Sequence, residues 1–339
     1  MNFQQLKYVR AAVQNNLNLT EVANVLFTSQ SGVSKQIKEL EAELGIEIFV
    51  RRGKRLVGIT KAGENVVKVI NSLLAEADNL KRLSQQFTQE DRGRLVVAAT
   101  HNQARYVIPP ALLHFTRLYP EVEVELRQGS PQYVADTLAR GEADIGIATE
   151  AVDDFPELDT HPCFTWEHVV VVPAHHPLLR IGNPGLADFA AYPIITYNPG
   201  FSGRSKIDAA FAAAGLRPDI RLTATDADVI KDYVQLGLGI GIVAEMAVTG
   251  EVREGLVPVP GSNAPFGVST TKVAIPRGVL LRNYAYRFVE ELAPHLDHAV
   301  LSGASRRPSP AARPQAPLPF VNWRELHAPR GNLTLVSSG

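Results

Sequence analysis

The chain has 339 residues, 45% hydrophobic and 20% charged, with 34 Lys and Arg against 35 Asp and Glu and a formal net charge of −1. That length holds two or three domains with sizeable cores, and the even balance excludes a general attraction to nucleic acid, so any basic surface must be local. The single Cys163 excludes an intramolecular disulfide and a cysteine-based metal cage. MNFQQLKYVR has no apolar signal core and no run approaches a membrane span, so a cytoplasmic protein is expected.

In chain order, the stretch Leu19 to Gly45 reads as two short helices joined by a polar turn. Thr20 is the expected N-cap, and Glu21 begins a helix whose Val22, Ala23, Val25 and Leu26 face a core. Thr28, Ser29, Gln30 and Ser31 interrupt it. A second helix then places Val33, Ile37, Leu40 and Leu44 on one apolar stripe. Its other side carries Gln30, Ser31, Ser34, Lys35 and Lys38, groups able to reach base edges and phosphates from a DNA major groove. Thr20 and Ser29 join them as candidate DNA contacts.

Between Lys35 and Lys61 there are seven cations against four anions. Arg51, Arg52, Lys54 and Arg55 crowd around Gly53, and Val57, Ile59 and Thr60 favour a strand beyond. Alone, such a run reads equally as a solvated surface. Directly behind a helix-turn-helix it reads as a basic hairpin, the wing, that contacts phosphates. From Ala62 to Phe87 a long helix repeats Val66, Ile70, Leu73, Ala77 and Leu80 as a coiled-coil seam would. Packing on its own domain is the alternative; pairing with a second copy would present two recognition helices to a pseudo-palindromic site. Asp91, Arg92 and Gly93 read as a hinge.

Beyond Gly93, strands near 94–99, 122–126, 144–148, 168–172, 193–197, 222–225, 240–243 and 273–275 alternate with helices near 133–140, 206–214, 229–236 and 283–292, with a further helix through Leu112, Phe115 and Leu118. This alternation indicates an α/β domain with parallel sheets covered on both faces. Some 200 residues of it point to two subdomains with a cleft between them. The expected boundaries are 1–60 for the winged helix-turn-helix, 61–92 for the linker helix and 93–301 for the α/β domain. Within the last, 93–162 with 266–301 forms one subdomain and 163–265 the other. The tail 302–339, with six prolines, five arginines and one glutamate, reads as disordered, with Phe320, Val321 and Trp323 a possible docking segment.

This order resembles the LysR-type transcriptional regulators over about residues 1–300. The blocks TSQSGVSKQIKELEAELG, EIFVRRGKRLVGIT, ATHNQARYVIP, QGSP, GEADIGIATE, GFSGRSKIDAAF and TDADVIKDYVQLGLGIGIVAE resemble the CysB and Cbl branch more narrowly. The resemblance implies a bilobal effector domain of periplasmic-binding-protein type and control of sulfur-assimilation genes. It also implies a small effector (sulfate, thiosulfate, O-acetylserine, N-acetylserine or adenylyl sulfate), promoter DNA and RNA polymerase as partners, and a homodimer or homotetramer. No cofactor or metal is implied.

The ligand site also follows from physics. In open α/β sheets, ligands lie beyond the carboxyl ends of strands, where helix N-termini present N–H groups to anions. Thr100, Asn102 and Gln103 follow the first effector strand, Thr149 ends the GEADIGIAT strand, and Ser202 with Gly203 precedes a helix. Each hydroxyl alone reads better as a helix cap; converging at three strand ends, they read together as an anion site of neutral donors. The resemblance assigns Thr100, Gln103, Thr149 and Trp166 to the ligand. It departs at Asn102 and Ser202, where the branch has Thr, and at Ser31, where it has Pro. Asn102 both donates and accepts, which suits an organic ligand with its own donor. His101 reads either as a ligand contact or as an exposed helix-start residue. Asp226 and Asp228 read as helix capping before Val229.

No catalytic constellation emerges. Gly237, Gly239 and Gly241 follow a helix and lead into a strand, the reverse of a dinucleotide site. His175 and His176 read as a turn, and Ser205 has no nucleophile elbow. A bilobal solute-binding protein would share the effector architecture but has no use for a basic wing. An enzyme would need a motif that is missing. A LysR-type regulator of an unrelated carboxylate is the alternative within the class.

Overall fold

The computed structural model describes residues 1–53, 55–86, 91–201, 203–248 and 255–301. Lys54, Ser202 and the tail 302–339 lie outside the described residues. The chain divides into two units, Met1–Thr88 with Gly278–Leu280, and Gln89–Arg277 with Leu281–Gly339.

The first unit opens with α1 (Phe3–Gln14), which the sequence patterns above leave unassigned. Asn2 and Gln5 exchange hydrogen bonds with each other's backbone N–H at 3.0 and 2.9 Å, a capping box. α2 (Leu19–Val25) is capped by Asn18, not Thr20. The Asn18 side chain accepts from Thr20 N–H and Glu21 N–H, and its extended backbone sits just outside the helix, so Thr20 falls inside the first turn. α3 (Gln30–Leu44) starts at Ser29, whose Oγ accepts from Gly32 N–H at 3.1 Å, and ends at left-handed Gly45. Val33, Ile37 and Leu40 are wholly buried with Leu6, Val9, Val22 and Phe49. Val25 and Leu44 depart from the expected stripes: each stands in the last turn of its helix, 52% and 37% exposed, beyond the three-helix core.

The wing is β1 (Phe49–Arg52) paired antiparallel with β2 (Arg55–Ile59). Thr60 joins it to α4 (Lys61–Gln86): its hydroxyl accepts from Gly63 N–H at 2.8 Å and donates to Glu47 O at 2.6 Å. Gly63 lies so close to the Ile48 carbonyl that a side chain there would collide with backbone. α4 has two apolar faces. Val67, Ile70 and Leu74 complete the first unit's core, whereas Val69, Leu73, Leu80 and Leu83 are exposed. Ile70 therefore leaves the expected seam for the core.

In the second unit, β3 (Arg92–Ala99), α5 (Ile108–Leu118), β4 (Glu121–Gln128), α6 (Pro131–Ala139) and β5 (Ile145–Thr149) make a parallel half ordered β4-β3-β5. Arg92 and Gly93, read as part of a hinge, already belong to β3. The long β6 (Leu158–Pro173) follows, then α7 (Leu186–Ala190), β7 (Ile194–Tyr197), α8 (Arg204–Ala213), β8 (Ile220–Ala224), α9 (Ala227–Gln235) and β9 (Ile240–Ala244). These make a second parallel half ordered β9-β7-β8. β10 (Leu256–Pro258) pairs with β6, and β11 (Val268–Pro276), α10 (Asn283–Leu292) and α11 (His298–Leu301) close the unit.

The sheets are not wholly parallel, as the alternation suggests. β11 runs antiparallel to both β5 and β6, and β6 antiparallel to β9. These two strands join the halves into two lobes: β6 pairs with β11 through Glu167 and with β9 from His168. Separate apolar clusters cover both faces of each half, as buried parallel strands require. In each half the first strand lies between the other two, so its neighbours' connections leave on opposite faces. That topological switch lies at the carboxyl ends of β3 and β7, where open α/β sheets place their ligand crevice.

Candidate DNA interface and effector site

On the first unit, Thr20, Ser29, Gln30, Ser31, Lys35 and Lys38 are exposed and Ser34 is half-buried. Ser29 is occupied as the α3 cap, with Ser31 Oγ 3.3 Å from its hydroxyl. Ser31 therefore stands at the second helical position, where Pro is equally compatible with a helix start. A hollow of about 350 Å³ between α2, α3 and the wing is lined by Leu17, Asn18, Leu19, Thr20, Gln30, Arg55 and Leu56. Three expected contacts from three elements thus meet at one surface. Arg52 and Arg55 are exposed and face each other across the hairpin tip. Arg51 is different: its guanidinium donates at 2.8 Å to Glu41 of α3 and is 21% exposed. The neighbouring Lys54 is outside the described residues.

On the second unit, Thr100, Asn102 and Gln103 follow β3 into a π-helical turn, Gln103–Val107, that leads into α5. All three side chains are buried, and Thr100 Oγ1, Asn102 Oδ1, Gln103 Nε2 and Gln103 Oε1 have no hydrogen-bond partner. Leaving a polar atom buried and unpaired costs about 1–3 kcal/mol. Four such atoms lie within four residues of the end of β3, so this strand end is not arranged for stability alone. Asn102 Nδ2 donates at 2.9 Å to the Tyr197 hydroxyl at the end of β7, which also accepts from Ala244 N–H at 3.0 Å. One phenol hydroxyl thus links the ends of β3, β7 and β9 across the two lobes.

Thr149 is buried at the end of β5, beside Thr271 of β11 in register. Trp166, also buried, donates its indole N–H to Thr271 Oγ1 at 3.1 Å and packs edge-on to His168 at 4.9 Å. With its N–H engaged, Trp166 has no hydrogen-bond donor left for a ligand. Ser269, opposite Trp166 on β11, is wholly buried with an unpartnered hydroxyl. Gly203, at φ +73°, approaches His168 and Ser269: a Cβ there would fall 2.5 Å from His168 Cε1 and 3.3 Å from Ser269 Oγ. Ser202, just before it, lies outside the described residues.

Two ionic groups clasp the lobes beside the crevice. Lys206 of α8 pairs with Glu150 at 2.5 Å, and Glu150 accepts from Thr270 N–H at 3.0 Å. On the other side Asp228 of α9 accepts from Arg105 (3.1 Å), Tyr106 Oη (2.8 Å) and buried Lys231 (2.8 Å). Burial alone would raise the Asp228 carboxyl, but these three donors hold it down at about 2. Burial and the neighbouring Asp228 push the Tyr106 hydroxyl up. Asp226 caps α9 as read from the sequence, accepting from Asp228 N–H; the Asp228 side chain instead bridges the lobes. Sequence patterns give no sign of Tyr197, Ser269 or this clasp, since each partner is remote in the chain. Burial pushes the Cys163 thiol up to about 12, leaving it inert. Among the described residues no group of three or more His, Cys, Asp or Glu could hold a metal, and no helix is long and apolar enough to cross a membrane.

Residues 3–64 match the model of the bacterial regulatory helix-turn-helix protein, lysR family, and residues 88–297 that of the LysR substrate binding domain. The chain is 55% identical over 306 residues to the HTH-type transcriptional regulator SsuR of Burkholderia cenocepacia, covering 90% of this chain and 99% of that one. It is 51% identical over 290 residues to the HTH-type transcriptional regulator cbl of Escherichia coli, covering 86% and 92%. Its fold superimposes on the crystal structure of the cofactor-binding domain of the Cbl transcriptional regulator with a TM-score of 0.62 at 43% identity, over 65% of this chain and 96% of that one. With both domain types present in order and about half of the aligned positions identical to such regulators, the chain belongs to the LysR family of transcriptional regulators.

Proposed function

We propose that this regulator controls sulfur-assimilation genes in response to a small anionic or acyl-serine effector held between the two lobes. The observation that carries the reading is the set of buried, unpartnered donors and acceptors on Thr100, Asn102 and Gln103 at a lobe junction. Neutral hydroxyls and amides suit an oxyanion such as sulfate, thiosulfate or the phosphosulfate of adenylyl sulfate. The acceptors Asn102 Oδ1 and Gln103 Oε1 suit the N–H or O–H of O-acetylserine or N-acetylserine. The relatives SsuR and cbl, similar over nine-tenths or more of their own length, support the sulfur assignment through the branch the sequence resembles.

The DNA contacts in this reading are Thr20, Gln30, Ser31, Ser34, Lys35 and Lys38 of the helix pair with Arg52, Lys54 and Arg55 of the wing. Exposed Val69, Leu73, Leu80 and Leu83 of α4 support pairing with a second copy, which sets two recognition helices on one promoter. Effector binding then changes the lobe arrangement and, through the assembly, the DNA complex that RNA polymerase meets. The test is footprinting on the promoters of sulfur-assimilation genes, with and without each effector. A protected pseudo-palindrome whose extent changes with one effector is expected. Protection that no effector alters would refute the sensing half, and no protection the sulfur assignment.

A further inference from the structure

Glu41 is a carboxylate in an awkward place. It stands in the last turn of α3, where the helix dipole disfavours negative charge, and it is only 9% exposed. A buried charge survives there only if it is paired and hydrogen-bonded. Its partners all lie on the segment that leads into the wing and on the wing itself. Oε1 accepts from Ile48 N–H at 2.9 Å and Phe49 N–H at 3.0 Å, and Oε2 accepts from Arg51 at 2.8 Å. One carboxylate therefore ties the end of the recognition helix to the root of the hairpin and to its third strand residue.

The hairpin is built to bring Arg51 there. Along β1 burial alternates, with Phe49 inward, Val50 outward, Arg51 half-buried and Arg52 outward. The pairing register shifts between Val50 and Arg51, which face Gly58 and Leu56, leaving Val57 as an extra residue on β2. Such a bulge re-aims side chains. Arg51 is turned to Glu41 while Arg52 and Arg55 remain exposed at the tip.

We propose that Glu41 and Arg51 form a positioning pair for DNA binding. They fix the wing against the recognition helix, and Arg51 acts on DNA through the placement of Arg52 and Arg55, without touching a phosphate. The inference rests on the wing facing DNA and assigns different work to neighbouring arginines within it.

The test is binding of the full chain to a mixed-sequence DNA duplex over a range of salt concentrations. A phosphate contact contributes about one unit to the slope of log affinity against log salt. Arg52→Gln and Arg55→Gln should each flatten the slope by about that much. Arg51→Gln should weaken binding roughly tenfold while leaving the slope at its original value. Glu41→Gln should give the same loss and faster amide exchange at Ile48 and Phe49, and the double variant should bind no worse than either single one. A slope flattened by about one in Arg51→Gln, or unchanged affinity in that variant, would overturn the proposal. Should Glu41→Gln fail to fold, Arg51→Gln decides alone, because it leaves both backbone bonds to Glu41 in place. If neither Arg52→Gln nor Arg55→Gln changes the slope, the wing does not face DNA, and that reading fails with the pair's role.

Discussion

The two units hold their candidate functional side chains in opposite states. On the first, Gln30, Ser31, Lys35, Lys38, Arg52 and Arg55 lie at or near the solvent, over an apolar core that is complete without them. On the second, Thr100, Asn102 and Gln103 are buried with hydrogen-bonding capacity unused. The difference follows from the partners. A DNA duplex is a large, charged surface that exposed cations can meet without rearrangement. A small ligand must be enclosed to be discriminated, so in the proposed reading its donors are withdrawn from water beforehand, at some cost in stability. Mutations should therefore have opposite signatures in the two units.

The largest effect is expected at the lobe clasp. Asp228→Asn removes the charge that holds Lys231 in its buried place, and breaking such a pair costs about 3 kcal/mol. Chemical denaturation of the full chain should register a lower midpoint for the second unit's transition. The same group sets a pH dependence. Because its folded carboxyl is depressed from 3.8 to about 2, its contribution is present above pH 3.8 and is lost as pH falls toward 2. Thermal melts across that window should flatten in Asp228→Asn relative to the parent chain.

Next in size is the wing. Arg52→Ala together with Arg55→Ala should lower the salt slope of DNA binding by about two and leave the melting of both units unchanged. A melting shift would mean that these side chains belong to the fold and not to the interface. Smaller, and opposite in sign to most core changes, is Thr100→Val. It replaces an unpartnered buried hydroxyl with a methyl, so stability should rise by about 1 kcal/mol while effector binding falls. A loss of stability would show that Thr100 is paired structurally and would erase the contrast between the units. Smallest is Ser31→Pro, which should alter stability by less than about 0.5 kcal/mol, since Ser29 supplies the cap.

Local chemistry made much of this legible in the sequence. The apolar stripe Val33, Ile37 and Leu40, the turn at Gly53 and the strand–helix alternation are short-range patterns, and each corresponds to a formed element. Long-range features were not legible. β6 carries Pro162 and a polar first half, so only its Val-rich end reads as strand; the rest is held by pairing with β11. Ile70 could serve either face of α4, and the choice was made by the core beneath it. In the candidate site, Thr100, Asn102, Gln103 and Thr149 stand out because strand ends and hydroxyls can be read locally. Tyr197 does not, because its bond to Asn102 spans 95 residues. Arg51 shows the same limit in the first unit: composition groups it with Arg52 and Arg55, and only a buried glutamate ten residues away separates them.

Effector binding at the lobe junction is the reading most open to a direct test. Sulfate, thiosulfate, O-acetylserine, N-acetylserine and adenylyl sulfate should be titrated calorimetrically into the full chain and into Thr100→Val. Saturable heat is expected with at least one of them, with binding weakened in Thr100→Val while the variant remains folded. Heat from none of them, or binding that Thr100→Val leaves intact, would contradict that reading.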